Sequence, residues 1–205
     1  AIEEGADQGA QILCFPETQT IGYRVDIATP DAPVDSDWLG ETHAEIAHRC
    51  GERGMACVLG TELPCAASKP TNSALIIDER GSIIGAHHKT ILTPLDAVAY
   101  SAGTQQHTFE LVGVTVGVVI CYEAFRFAHT TAECVRRGAQ LIFHPQNNTT
   151  RPNDWKIPIH HAMIVTRAAE NTVWFASCNA CLPQQNSCSM IVAPFADSSE
   201  NIVGA

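Results

Sequence analysis

The feature that most restricts this chain is a joint that occurs twice. Residues 9–16 read GAQILCFP and residues 138–145 read GAQLIFHP. Helix-like charged sequence precedes each copy, and then come Gly-Ala-Gln, a short apolar run and Pro. Glycine readily takes the left-handed conformation that closes a helix, and proline cannot donate to a strand ladder. Each copy therefore predicts a helix ending at Gly9 or Gly138, a short buried strand, and an end to pairing at Pro16 or Pro145. The repetition admits two readings: two related halves, or two αβ joints that match by chance.

Around these joints, short β-rich runs predict strands at 56–63, 73–78, 82–88, 107–111, 114–121, 172–178 and 189–195. Glu79-Arg80-Gly81 and Val112-Gly113 read as hairpin turns. A helix is expected from the capping residues Asp35, Ser36 and Asp37 towards Gly51, with Leu39, Ile46, Ala47 and Cys50 on one face. A second covers 129–137. A third starts near Trp155–Pro158 and ends around Asn171, with Ile159, Ala162, Met163, Ala168 and Ala169 as its expected buried side. The strands barely alternate between apolar and polar, so both of their faces must be covered. The fold class is α+β or α/β.

With 205 residues, 45% apolar and 17% charged, the chain reads as one ordered domain, 1–205. Its net charge of −10, with no Lys/Arg block, argues against nucleic acid and anionic membranes as partners. Nine cysteines at irregular spacing predict free thiols in a reducing cytoplasm. There is no secretory apolar region at the start, and the longest apolar run, 111–121, is too short to span a bilayer. The chain opens at Ala1 in what reads as the last turns of a helix and stops just after a strand, so a fragment is expected.

The run VVICYEAF, 118–125, carries the chemistry. A buried strand ends in Cys121, and the sequence turns polar at once with Tyr122 and Glu123. In sheet proteins reactive groups gather at strand exits. A thiol there, in a sharp turn whose following N–H groups face a developing oxyanion, has the geometry of a nucleophile elbow. The competing reading of Cys121 is a small buried hydrophobe, the ordinary fate of a free cysteine. An ordinary thiol is only a few per cent ionised at neutral pH and needs a base or a cation. Glu17 leaves its strand by the same rule as Cys121 and is a candidate base, unless it is a solvated loop acid. Lys89 closes the strand GAHHK, where a buried ammonium would favour a thiolate and hold an oxyanion; a surface lysine is the alternative.

Five segments change this balance. CFPETQTIGY (14–23), HHKTIL (87–92), VVICYEAFRF (118–127), RGAQLIFHP (137–145) and RAAENTVWFASCN (167–179) resemble, in this order, the signatures of the nitrilase superfamily, the carbon–nitrogen hydrolases. The resemblance runs from residue 5 to about 196. It implies a four-layer αββα sandwich, truncated at both ends, with a Glu–Lys–Cys triad. Glu17 would be the general base, Lys89 the oxyanion stabiliser and Cys121 the nucleophile, with the Tyr122 N–H completing the oxyanion hole. It implies no metal or organic cofactor, a small amide, carbamoyl or nitrile substrate, and a homo-oligomer. CYE in place of the nitrilase C-W-E favours amides or carbamoyl compounds. Two departures stand out. Ala128-His129 replace the family's Pro-Glu, and Asp96, counted back from Gly103, replaces a second Glu that orients the lysine or a substrate amine. Tyr23, Asp96 and the loop from Gln146 to Asp154 would line the pocket. Glu123 would support the site, with Arg126 as a local partner.

Rival constellations are also present. His144 ends the strand LIFH and could activate Cys121 as a Cys–His pair, pack as an ordinary buried histidine, or face the substrate. Cys178, Cys181 and Cys188 form C-x2-C-x6-C, an incomplete zinc pattern and a weak redox motif. A non-catalytic relative that keeps the triad as a relic is the contrasting functional class.

Overall fold

The computed structural model describes residues 1–26, 32–66, 69–194 and, as a strand, 202–204. Helix α1 (Ile2–Asp7) leads through Gly9, at φ +81°, into strand β1 (Ile12–Cys14). After a 3-10 turn at Arg24–Asp26 comes α2 (Ser36–Arg53). Its N-cap Asp35 accepts the Trp38 N–H at 2.9 Å, and Gly54 closes it in the left-handed region. Strands β2 (Ala56–Leu63), β3 (Thr71–Ile77) and β4 (Ile83–His88) follow as an antiparallel meander. Then come the short α3 (Asp96–Ala99), the hairpin β5 (Thr108–Leu111) and β6 (Val114–Val118), α4 (Tyr122–Arg126) and α5 (Ala128–Arg136). The chain continues through β7 (Leu141–Gln146), α6 (Lys156–Asn171), β8 (Trp174–Asn179), β9 (Met190–Val192) and β10 (Ile202–Gly204).

The strands form two sheets, β1-β2-β3-β4 and β10-β9-β8-β7-β6-β5. Three apolar clusters lie between layers. Ala47 and Cys50 of α2 pack on Cys57, Leu59, Leu75 and Ile77. The opposite faces of the same strands, Ala56, Val58, Ala74 and Ile76, pack on Val116, Val118, Ile120 and Phe143 of the second sheet. That sheet's outer face, through Ile142, Phe175 and Val192, packs on Phe125, Cys134, Ile164 and Ala168 of α4, α5 and α6. Layer by layer this is helix, sheet, sheet, helix. It explains why Ala56–Leu59 is apolar at every position: even positions face one layer and odd positions the other.

Several expectations are corrected. Pro145 does not end pairing, because β7 runs on to Gln146 with Pro145 opposite Cys178. The Pro145 carbonyl accepts the Cys121 N–H on the β6 side, where the ladder has already ended, so no donor is missed. A short helix, α4, starts directly after Cys121, ahead of the helix expected at 129–137, which is α5. The strand expected at 189–195 is Met190–Val192, and Phe195 lies outside the described residues. The buried side of α6 is His160, Ile164, Arg167 and Ala168, whereas Ile159, Ala162 and Ala169 are exposed. The reason is polar. His160 stacks on Phe125 with centroids 4.1 Å apart, and the Arg167 Nε donates to the Ala124 carbonyl at 3.0 Å.

Candidate active site

Three chain segments, each just beyond a strand end, bring Glu17, Lys89 and Cys121 together. Glu17 follows β1 after Pro16. It is held close to β2 because Gly60 has no side chain: a Cβ at Gly60 would lie 1.8 Å from the Pro16 carbonyl oxygen. Lys89 follows β4, and its N–H donates to the Asn72 carbonyl at 2.9 Å. Cys121 follows β6 in a backbone conformation of φ +47° and ψ −104°, strained for a residue with a side chain. The chain turns there from strand to helix, so Tyr122 is the first residue of α4 and its N–H has no intrahelical acceptor.

Glu17 and Lys89 are 4% and 1% exposed, yet both have partners. Lys89 Nζ lies 2.7 Å from Glu17 Oε1 and 2.9 Å from Asp96 Oδ2. The Asn72 side-chain amide donates to Glu17 Oε1 at 2.7 Å. The Asn147 backbone N–H donates to Glu17 Oε2 at 2.9 Å and also to the Cys121 sulfur. Asp96 opens α3, accepts the Tyr23 hydroxyl at 2.5 Å, and exchanges bonds with Thr93. Asp96 thus links the half-buried Tyr23 to the buried Lys89.

Charge follows from this packing. Burial pushes the Cys121 thiol well above its ordinary value, and Glu17 adds to the rise; the Lys89 ammonium and the Asn147 N–H oppose it. The resting sulfur is therefore a thiol. Burial alone would discharge Lys89, but Glu17, Cys121 and Asp96 hold it well above the lysine range, so it stays a cation. Asp96 pays for burial in the same sense, and Lys89, Tyr23 and the Thr93 N–H bring its carboxyl below the usual range. Burial and Asp96 push the Tyr23 phenol upward, which keeps it a donor.

Glu123 has no bond to Arg126 among its hydrogen bonds, which corrects that pairing. Its carboxylate turns inward and accepts Ile120 N–H (2.6 Å), Thr90 N–H (2.8 Å), Thr90 Oγ1 (2.6 Å) and His87 Nε2 (3.0 Å), with Gln106 Nε2 at 3.2 Å. It ties the residue after Lys89 to the residue before Cys121. Burial opposes its ionisation, but the His87 ring and these donors lower it to about 2. His144 contacts the Cys121 carbonyl through Nε2 (3.1 Å) and Ser177 through Nδ1 (2.9 Å). Burial lowers it to about 4, so it is neutral and bonded to the backbone rather than the sulfur. Gln146 donates to Ser177 Oγ at 2.7 Å, in the same layer as His144. The loop after it is pinned by Asn148 N–H on Asn179 Oδ1 and by Gln185 on Asn147.

Residue-by-residue reading of the sequence overlooked Asn72, His87, Thr90, Gln106 and Asn147. Asn72 carried no signal, because β3 opens with the polar run Thr71-Asn72-Ser73 before its apolar half. The incomplete zinc pattern does not assemble: Cys181 and Cys188 are exposed, Cys178 is a free thiol hydrogen-bonded to the free thiol of Cys14, and no metal-type cluster occurs among the described residues.

A sequence model of the family described as carbon–nitrogen hydrolase matches residues 1–197. This chain belongs to the carbon–nitrogen hydrolase family. Among its relatives, 2-oxoglutaramate amidase of Bacillus subtilis is 30% identical over 86% of this chain and 66% of that protein. Omega-amidase NIT2 of Xenopus tropicalis is 27% identical over 100% of this chain and 79% of its own. Human omega-amidase NIT2 is 27% identical over 86% of this chain and 64% of its own. The chain thus spans about two thirds of the length of several of its relatives. In fold, it matches an amidase from Nesterenkonia sp. AN1 with a TM-score of 0.82 at 23% identity, over 94% of this chain and 73% of that one. That protein was solved with the acetamide moiety of fluoroacetamide on its active-site cysteine.

Proposed function

We propose that this hydrolase cleaves the C–N bond of a small amide through a thioester on Cys121. One observation carries the reading: Glu17 is bonded to Lys89 through Oε1, and its Oε2 shares the Asn147 N–H with the Cys121 sulfur. A base, a cation and a thiol thus meet in one buried site. Because the resting sulfur is protonated, Glu17 removes its proton as the sulfur attacks the amide carbon. The carbonyl oxygen becomes an oxyanion held by Lys89 Nζ and the Tyr122 N–H. One such donor is worth about 3 kcal/mol in the transition state. Glu17 returns the proton to the nitrogen, the C–N bond breaks, and ammonia or an amine leaves. Water then gives a proton to Glu17 and attacks the thioester carbon. The C–S bond breaks, the acid departs, and Glu17 reprotonates the sulfur. Lys89 keeps its charge throughout, so its role is electrostatic.

Asp96, bonded to Lys89 and in turn to Tyr23, anchors the ammonium. The strained Cys121 carbonyl is held by His144. A homo-oligomer in the cytoplasm, with a small molecule as its only required partner and no organic cofactor, completes the proposal. Light scattering of purified protein tests the assembly. No helix among the described residues is long and apolar enough to cross a membrane.

The names of the relatives, 2-oxoglutaramate amidase and omega-amidase, support 2-oxoglutaramate and other small amides as the first substrates to test. An ammonia-release screen over such amides, ureido acids and nitriles, with Cys121→Ala beside it, tests the reaction. Release from an amide that Cys121→Ala abolishes is the expected result. Release by Cys121→Ala at the native rate would refute the reading.

A further inference from the structure

Glu17 has two carboxylate oxygens, and their surroundings differ. Oε1 already accepts two strong donors, the Lys89 ammonium and the Asn72 amide, each at 2.7 Å. Oε2 accepts the Asn147 N–H at 2.9 Å, and that same N–H also reaches the Cys121 sulfur. An oxygen engaged by an ammonium and an amide donor is a poor proton acceptor, because each bond stabilises the unprotonated form. The oxygen that faces the sulfur's own hydrogen-bond donor is the one with capacity left.

Asn72 is built for this task rather than for stability. It is fully buried in β3, whose later residues Ala74, Leu75, Ile76 and Ile77 pack apolar faces into two layers. Its Nδ2 meets Glu17, but its Oδ1 has no hydrogen-bond partner. A buried acceptor left unmatched is destabilising, and an apolar residue at this strand position would avoid it. The same residue's backbone carbonyl accepts the Lys89 N–H at 2.9 Å. One asparagine thus fixes the base by its side chain and the cation by its main chain.

We propose that Asn72 is a positioning residue for proton transfer: its amide, with Lys89, occupies Glu17 Oε1 and so makes Oε2 the oxygen that takes the Cys121 proton. This rests on Glu17 acting as the base. Asn72 itself touches neither the sulfur nor the substrate in this account.

The test uses Asn72→Asp, which keeps the shape and exchanges the donor for a charge, and Asn72→Ser, which removes the donor. The readouts are kcat and KM for an amide turned over by the native protein, the pH dependence of kcat/KM, and the rate of Cys121 alkylation by iodoacetamide. Glu17→Gln is run in parallel. In Asn72→Asp a carboxylate faces a carboxylate, which disfavours the ionised pair, so the acid limb of the profile moves to higher pH. We expect kcat to fall roughly 10- to 100-fold in both variants, with KM within about twofold. Alkylation should show the same displaced limb. A structural role alone would lower the melting temperature and the fraction of active protein but leave the limb of the surviving activity in place. That outcome, with Glu17→Gln inactive, overturns the inference while leaving the base assignment intact. Full activity in Glu17→Gln would instead remove the base assignment, and the inference with it.

Discussion

The two Gly-Ala-Gln joints begin alike and end differently. Both leave a helix through a glycine of positive φ, Gly9 at +81° and Gly138 at +98°, and both enter a buried strand. The first strand, β1, pairs with β2 alone among the described residues; the second, β7, lies between β6 and β8. The first chain leaves its sheet at Phe15-Pro16, and it delivers a side chain, the Glu17 carboxylate, into the site. The second is held on both sides, keeps Pro145 in register, and delivers backbone: the Pro145 carbonyl to Cys121 and the Asn147 N–H to Glu17. The same local code thus yields a chemical group beyond one strand and a scaffold in the centre of the other sheet. The two meet at one hydrogen bond, between residues 130 positions apart.

The strongest way to break this comparison is at its chemical end. Glu17→Gln should lower ammonia release by roughly 10²- to 10⁴-fold. The swap Glu17→Gln with Gln146→Glu should not restore it, because a carboxylate at 146 faces the helix layer with His144 and Ser177. Recovery to within about tenfold in steady-state assays would show the joints to be interchangeable.

The next largest effect concerns the scaffold that the second joint supports. Glu123 ionises well below its unfolded value, near 4.5, at about 2 in the fold. Its stabilisation is complete above the unfolded value and is lost as pH falls through about 2. The linkage is worth on the order of 3 kcal/mol. Denaturant unfolding at pH 7 and pH 3 should show a pH-dependent loss in the native protein that is smaller in Glu123→Gln, which is already destabilised at pH 7. Equal pH dependence in both would contradict the assignment.

Gly60→Ala sharpens the comparison at the first joint. The added Cβ must push back the Pro16-Glu17 backbone. A displacement near 1 Å costs about 100-fold in rate, with the far sheet untouched. Kinetics beside circular dichroism would check this, and native kcat would show that the close approach is dispensable. The smallest effect is expected at His144→Ala. Cys121 alkylation should change less than about tenfold, since the neutral ring bonds the backbone and not the sulfur. Loss of alkylation there, with Lys89→Ala unaffected, would favour a Cys–His pair instead.

How much of this was legible follows the same division. Strand exits are local, so Glu17, Lys89 and Cys121 stood out as candidates where apolar runs turn polar, but only the five family-like segments favoured them over a loop acid, a surface lysine and a buried thiol. The layers were legible too, because strands apolar at every position have to be covered twice. The supporting bonds were not. Asn72 and Asn147 reach Glu17 across 55 and 130 residues, and Glu123 reaches back to Thr90 across 33. No periodicity records such pairings. Helix α6 misled for a related reason: counting apolar positions turned His160 and Arg167 outward, whereas burial of both is made possible by Asn148, Phe125 and the Ala124 carbonyl.

The most direct test of the account is the mass of the protein quenched in acid during turnover of an amide it hydrolyses, followed by peptide mapping. An acyl group on Cys121, formed at least about 100-fold more slowly in Glu17→Gln, is the predicted result. An acyl group on another of the nine cysteines, or equal rates of acylation with and without the Glu17 carboxylate, would contradict it.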